Sequence, residues 1–144
     1  MSPIDLSVLA RKLGTIQERL DLLRAVAALS LDEYLSDVLR KKGAEKLLQE
    51  LVNATVDANY HILMESGKPP PADAYGSFLD LASLGTLDGA LARELAPFAG
   101  LRNRLVHEYA TLDDEKVLAS LGEAESLFPR YIRAVRRRFL PPAP

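Results

Sequence analysis

The strongest constraint on this chain is the spacing of its apolar residues. Leu9, Leu13, Ile16, Leu20, Leu23 and Ala27 recur at intervals of four and three, the repeat that lines one side of an α-helix. Such a stripe predicts a long amphipathic helix over residues 5 to 29, with one side that must be buried. Ser30 followed by Glu33 reads as a capping box and opens a new helix, which Gly43 is expected to interrupt. A second long helix is predicted to resume at about residue 44. Leu47, Leu51, Ala54, Ala58 and Ile62 keep the period until Ser66-Gly67, where glycine supplies a stop. Lys68-Pro69-Pro70-Pro71 predicts a stiff exposed connector, since proline lacks the backbone donor that a helix uses.

Residues 74 to 84 read as a short helix ended by Gly85. Asp88 opens another that is expected to run towards Tyr109, with Pro97 and Gly100 distorting it just before Arg102. Thr111 or Asp113 caps a last helix over 114 to 139, carrying Val117, Leu118, Leu121, Leu127, Tyr131 and Val135, with a bend at Pro129. Strand-like alternation is absent. Long amphipathic helices joined by short or proline-rich loops imply an all-α, antiparallel helical bundle. The length suits one domain over residues 1–144, with its core at about 5–137 and a disordered tail at 140–144.

Several function classes fall away on composition. There is no cysteine, and two histidines are too few for a histidine-only cage, so no structural metal and no cofactor are expected. A net charge of −2 argues against a protein that coats nucleic acid over a wide surface, so any RNA contact must be local. Met1 to Asp5 holds no basic segment leading into an apolar run, and charges such as Asp21 and Arg24 interrupt every apolar stretch. A soluble, cytoplasmic protein with no membrane partner is therefore expected. The sequon Asn53-Ala54-Thr55 reads as chance. Arg130, Arg133, Arg136, Arg137 and Arg138 form the one basic concentration; they read first as a solvated helix end and second as a phosphate-contacting strip.

The segment with chemical potential is Leu101-Arg102-Asn103-Arg104-Leu105-Val106-His107-Glu108-Tyr109, which gathers six polar groups around three apolar residues. On a helix Arg102 and Tyr109 share a stripe, and Asn103 neighbours His107 closely enough to orient its imidazole. Arg102 and His107 stand about 140° apart around the axis. They converge only if the arginine reaches across or a second chain supplies the partner group, which favours a site shared between protomers. A permanently charged guanidinium beside a histidine that titrates near neutrality can cleave RNA without a metal. Taken alone, the same pair is in most proteins a surface feature, or a half-buried histidine satisfied by Glu108 or Asn103. Asp57 and His61 form an i, i+4 pair that reads as an intrahelical ion pair or an interface hydrogen bond.

The pattern Arg102, four residues, His107, one residue, Tyr109 resembles the signature of the HEPN superfamily, specifically the HepT-like toxins of HepT and MntA toxin–antitoxin pairs. The stretch Val56 to His61, the proline connector, the helix from Ala74 to Leu84 and the lead-in Phe98-Ala99-Gly100-Leu101 resemble that family in order and spacing, over about residues 5 to 137. The resemblance implies a HEPN-type bundle of four to six helices acting as a homodimer. It implies a metal-independent endoribonuclease toxin of a type II/VII-like pair, with Arg102 and His107 catalytic and Asn103 in the supporting polar position. It further implies neutralisation by a cognate MntA-like nucleotidyltransferase, in some members through transfer of AMP to the tyrosine that corresponds to Tyr109. The alternatives are a catalytically silent helical module that binds the nucleotidyltransferase or a nucleotide, and a chain that is only an AMP acceptor, with Tyr109 otherwise an aromatic anchor at the helix end.

Overall fold

The apolar stripe at the N-terminal end becomes α1 (Leu6–Ala27), in a computed structural model that describes residues 4–107 and 111–140. Leu9, Leu13, Ile16, Leu20 and Leu23 are buried as the spacing predicts, and Val26 closes the row while Ala27 is half-buried. Asp5 caps the helix by accepting from the backbone N–H of Ser7 and Val8. The hydrogen bond from the Ser7 hydroxyl, and then these backbone bonds, hold its carboxyl below the ordinary value. The capping box at Ser30 forms in full and starts the short α2 (Leu31–Leu35): Ser30 Oγ accepts from Glu33 N, and Glu33 Oε1 accepts from Ser30 N at 3.0 Å.

The interruption expected at Gly43 lies elsewhere. The chain breaks at Asp37, whose extended backbone and side chain, accepting from Arg40 N at 3.1 Å, cap the long α3 (Val38–Glu65). Gly43 sits inside α3. A glycine there costs about 1 kcal/mol against alanine, and burial of Ala44, Leu48, Leu51 and Val52 on the same helix outweighs it. The stop at Ser66-Gly67 is as predicted: Gly67 takes φ 78°, a left-handed backbone that favours glycine, and Lys68 N reaches back to Leu63 O at 2.9 Å.

Asp73 caps α4 (Ala74–Leu84), which ends at a left-handed Gly85. The single helix expected from Asp88 towards Tyr109 is divided at Ala96 into α5 (Gly89–Leu95) and α6 (Pro97–His107). Pro97 becomes the first residue of α6, where a missing N–H leaves no helical bond unmade. This division brings the helical segments among the described residues to seven. Asp113 rather than Thr111 caps α7 (Asp114–Phe139), accepting from Glu115 N and Lys116 N at 3.1 and 3.3 Å, and Pro129 lies within it. Residues 141–144, most of the tail expected to be disordered, lie outside the described residues.

Side-chain pairs define the helix directions. Lys12 pairs with Asp57 and Arg19 with Glu50, so α1 and α3 are antiparallel. Lys41 pairs with Asp114 and Asn59 with Tyr131, so α3 and α7 run the same way, with α1 opposed to both. One buried apolar cluster draws on all seven helices. Within it lies a sealed polar chain: the Tyr131 hydroxyl donates to Asn59 Oδ1 at 2.6 Å, Asn59 Nδ2 donates to Ser77 Oγ at 3.0 Å, and Ser77 Oγ donates to Ala74 O at 2.7 Å. Burial pushes the Tyr131 hydroxyl pKa far up. Near the start of α7, Lys41 lies 3.0 Å from Glu45 and 3.2 Å from Asp114. Burial opposes its charge, but hydrogen bonds to both carboxylates win and raise its pKa. Among the described residues, no helix is long and apolar enough to cross a membrane.

Candidate active site

Phe98, Leu101 and Leu105 bury one side of α6, which fixes where the polar residues of the motif must go. Arg102 is half-buried at the edge of that side, while Asn103, Val106 and His107 are exposed. Helix geometry places Arg102, Val106, Asn103 and His107 in that order along one outward arc spanning about 140°. The guanidinium and the imidazole therefore flank an exposed strip of a single helix. Neither is sealed inside the subunit.

What holds Arg102 is α3. Its Nη1 donates to the exposed Asn53 Oδ1 at 2.7 Å, while its Nε is buried without a hydrogen-bond partner among the described residues. Asn53 belongs to a ridge of α3 formed by Glu50, Asn53 and Asp57 at i, i+3 and i+7. The ridge anchors three cations. Arg19 Nε meets Glu50 Oε1 at 3.0 Å, Lys12 Nζ meets Asp57, and Arg102 meets Asn53. The first two acceptors are carboxylates and the third is a neutral amide. A cavity lined by Val8, Arg11, Lys12, Thr15 and Asp57 opens beside the Lys12–Asp57 pair.

Two sequence-level expectations do not hold. No hydrogen bond joins Asn103 to His107 among the described residues: both point to solvent, where water competes for their polar groups. Asp57 pairs with Lys12 of α1 instead of His61, whose Nε2 is buried without a partner among the described residues. Tyr109 lies outside the described residues. Sequence reasoning missed Asn53. Its only signal was a place on the outward side of α3, because its partner is 49 residues away along the chain. Among the described residues no group of three or more His, Cys, Asp or Glu side chains is placed to hold a metal ion.

The arrangement has close structural counterparts. A tri-AMPylated HEPN toxin from Shewanella oneidensis, solved in complex with an MNT antitoxin, superposes with a TM-score of 0.81 over 90% of this chain and 97% of that one, at 22% identity. YutE of Bacillus subtilis, described as a cytosolic protein of unknown function, superposes with a TM-score of 0.81 over 99% of both chains at 14% identity. The chain thus has the HEPN fold. In sequence, a family model described as ribonuclease HepT-like matches residues 16–135. The tRNA nuclease HepT of Aphanizomenon flos-aquae is 34% identical over 135 residues, 94% of this chain and 92% of that protein. The chain belongs to the HepT-like ribonuclease family, as the resemblance of its Arg102 to Tyr109 segment implied.

Proposed function

We propose that this chain is a cytoplasmic, metal-independent endoribonuclease toxin that works as a homodimer and is neutralised by a nucleotidyltransferase antitoxin. The observation that carries the reading is the placement of Arg102 and His107: both lie on the outward arc of α6, with Arg102 braced against α3. Membership of the HepT-like family and the 34% identity to a tRNA nuclease support the substrate class.

In this reading the imidazole of His107 takes the proton of a ribose 2′-hydroxyl. The 2′-oxygen bonds to the adjacent phosphorus as the bond to the 5′-oxygen breaks, and a proton passes to that leaving oxygen. Arg102 stabilises the charge that builds on the phosphoryl oxygens. Because these groups stand about 140° apart on one helix, a second protomer docking on the arc across Val106 completes the pocket. Val106, 40% exposed, supplies an apolar centre for that contact. Asn103 lies in the same pocket as a polar contact to RNA.

The reading extends to Tyr109, two residues beyond His107, as an AMP acceptor. The Shewanella toxin is AMPylated, and an adenylate phosphate beside Arg102 would pair with the guanidinium and block RNA entry. Expression of the chain without its antitoxin should arrest growth, and His107→Ala should abolish the arrest with the fold intact. A purified protein that leaves every RNA class intact, with His107→Ala silent in cells, would leave only a binding module. Mass spectrometry after co-expression with a nucleotidyltransferase tests the adduct: a chain unmodified at Tyr109 removes the regulatory proposal.

A further inference from the structure

The three cations on the α3 ridge are anchored differently, and the difference falls on the one residue assigned to phosphate. Lys12 and Arg19 each lie against a carboxylate, Asp57 and Glu50, which neutralises them. Arg102 alone donates to an amide oxygen, at 2.7 Å. An amide fixes a guanidinium through the same hydrogen bond but returns no charge to it. A carboxylate would form a stronger, charge-assisted and often bidentate pair, and incoming phosphate would have to compete with it. We propose that Asn53 is the positioning residue of the site: a neutral anchor that aims the Arg102 guanidinium while leaving its full positive charge for an RNA phosphate.

The buried, unpartnered Nε of Arg102 fits this role. A free arginine on an exposed helix turns until every N–H meets water or an acceptor, whereas the Nε of this one lies buried with no partner among the described residues. The Asn53 contact and the packing around it set its pose. The remaining guanidinium donors stay uncommitted to any protein acceptor among the described residues. Single-stranded stretches of RNA present isolated phosphates that a charged fork of this kind can grip two-handed.

The inference rests on the ribonuclease reading of Arg102, so the test separates the two. Cleavage of tRNA by the full-length wild-type protein is measured beside Arg102→Ala, Asn53→Asp, Asn53→Gln and Asn53→Ala, each with its thermal midpoint. Affinity for a non-cleavable 2′-O-methyl RNA is measured at several salt concentrations. Asn53→Asp is expected to keep or raise the thermal midpoint, to raise KM and weaken RNA binding about tenfold or more, and to flatten the salt dependence by about one phosphate contact. Asn53→Ala is expected to lower kcat more than it raises KM, because the guanidinium is charged but unaimed, and Asn53→Gln should rescue part of that loss. Asn53→Asp with wild-type KM and RNA affinity, while Arg102→Ala is inactive, overturns this inference and leaves the ribonuclease reading standing. If Arg102→Ala cleaves like wild type, or the wild type neither cleaves nor binds RNA, the ribonuclease reading falls and the inference with it.

Discussion

Two asparagines six residues apart on α3 differ in what their side chains meet, one inside the fold and one at the proposed site. Asn59 is sealed: its amide oxygen accepts from Tyr131 and its amide nitrogen donates to Ser77, tying α3 to α7 and α4. Asn53 is exposed and, among the described residues, its side chain accepts one hydrogen bond, from an arginine whose buried Nε has no partner among them. The sealed network uses its hydrogen-bonding capacity on the protein itself, so its loss is felt in stability. The surface site holds capacity in reserve, so its loss should be felt in rate. The distinction rests on solvent: a buried polar group left without a partner is costly, whereas an exposed one trades its contact for water.

The sharpest way to break this contrast is to delete the reserved groups. Arg102→Ala or His107→Ala should lower RNA cleavage by about 10²- to 10⁴-fold, with a denaturation midpoint within about 0.5 kcal/mol of wild type. Steady-state cleavage assays beside urea titrations check both halves. A variant that loses activity only because it unfolds would put the site in the same category as Asn59.

The converse change should act on the fold. Asn59→Ala strands the Tyr131 hydroxyl and removes the bond that Ser77 Oγ accepts, and should destabilise the protein by about 1–3 kcal/mol while the cleavage rate per folded molecule stays at wild type. A midpoint that fails to move would mean the sealed chain holds nothing together.

Alkaline pH probes the same network more gently. Tyr131 ionises at 10.0 when unperturbed and higher in the fold because of its burial. The stabilisation linked to its protonated form is therefore complete below pH 10 and declines as pH rises, because the unfolded chain sheds that proton first. Tyr34, whose pKa burial also raises, and Lys41, held charged by Glu45 and Asp114, act in the same direction. Stability measured across alkaline pH should fall less steeply for Tyr131→Phe than for wild type, and an unchanged slope would contradict this. The smallest expected effect is at Gly43, where an added Cβ meets no atom within 4 Å. Gly43→Ala should stabilise the protein by about 0.5–1 kcal/mol with no change in cleavage; a lower denaturation midpoint would show that the position needs glycine.

Most of the fold was legible because local rules agree with the tertiary outcome. The α1 stripe, the Ser30 capping box and the glycine stops at Gly67 and Gly85 each act within a few residues and formed as read. Gly43 misled because propensity is a weak term against the burial of its neighbours, and Asp37 supplied the actual break. The division at Ala96 was half-visible: Pro97 signalled a distortion, but only the packing of α5 and α6 turned it into a new helix start. In the candidate site, the roles proposed for Arg102 and His107 come from their spacing and from the resemblance, and the fold adds that both lie on the outward arc of α6. The brace on Arg102 was not, since a hydrogen bond from α6 to α3 leaves no periodic trace in either segment. The pair expected between Asp57 and His61 failed for the same reason: Lys12, far away in sequence, takes the carboxylate.

Subunit mixing separates a site in which guanidinium and imidazole act across two protomers from one held within a single chain. Arg102→Ala and His107→Ala proteins, each inactive alone, are unfolded together, refolded and assayed for RNA cleavage. Activity should return, because the mixed dimer unites an intact arginine from one chain with an intact histidine from the other. A mixture that forms mixed dimers yet stays as inactive as its parents would contradict the shared site.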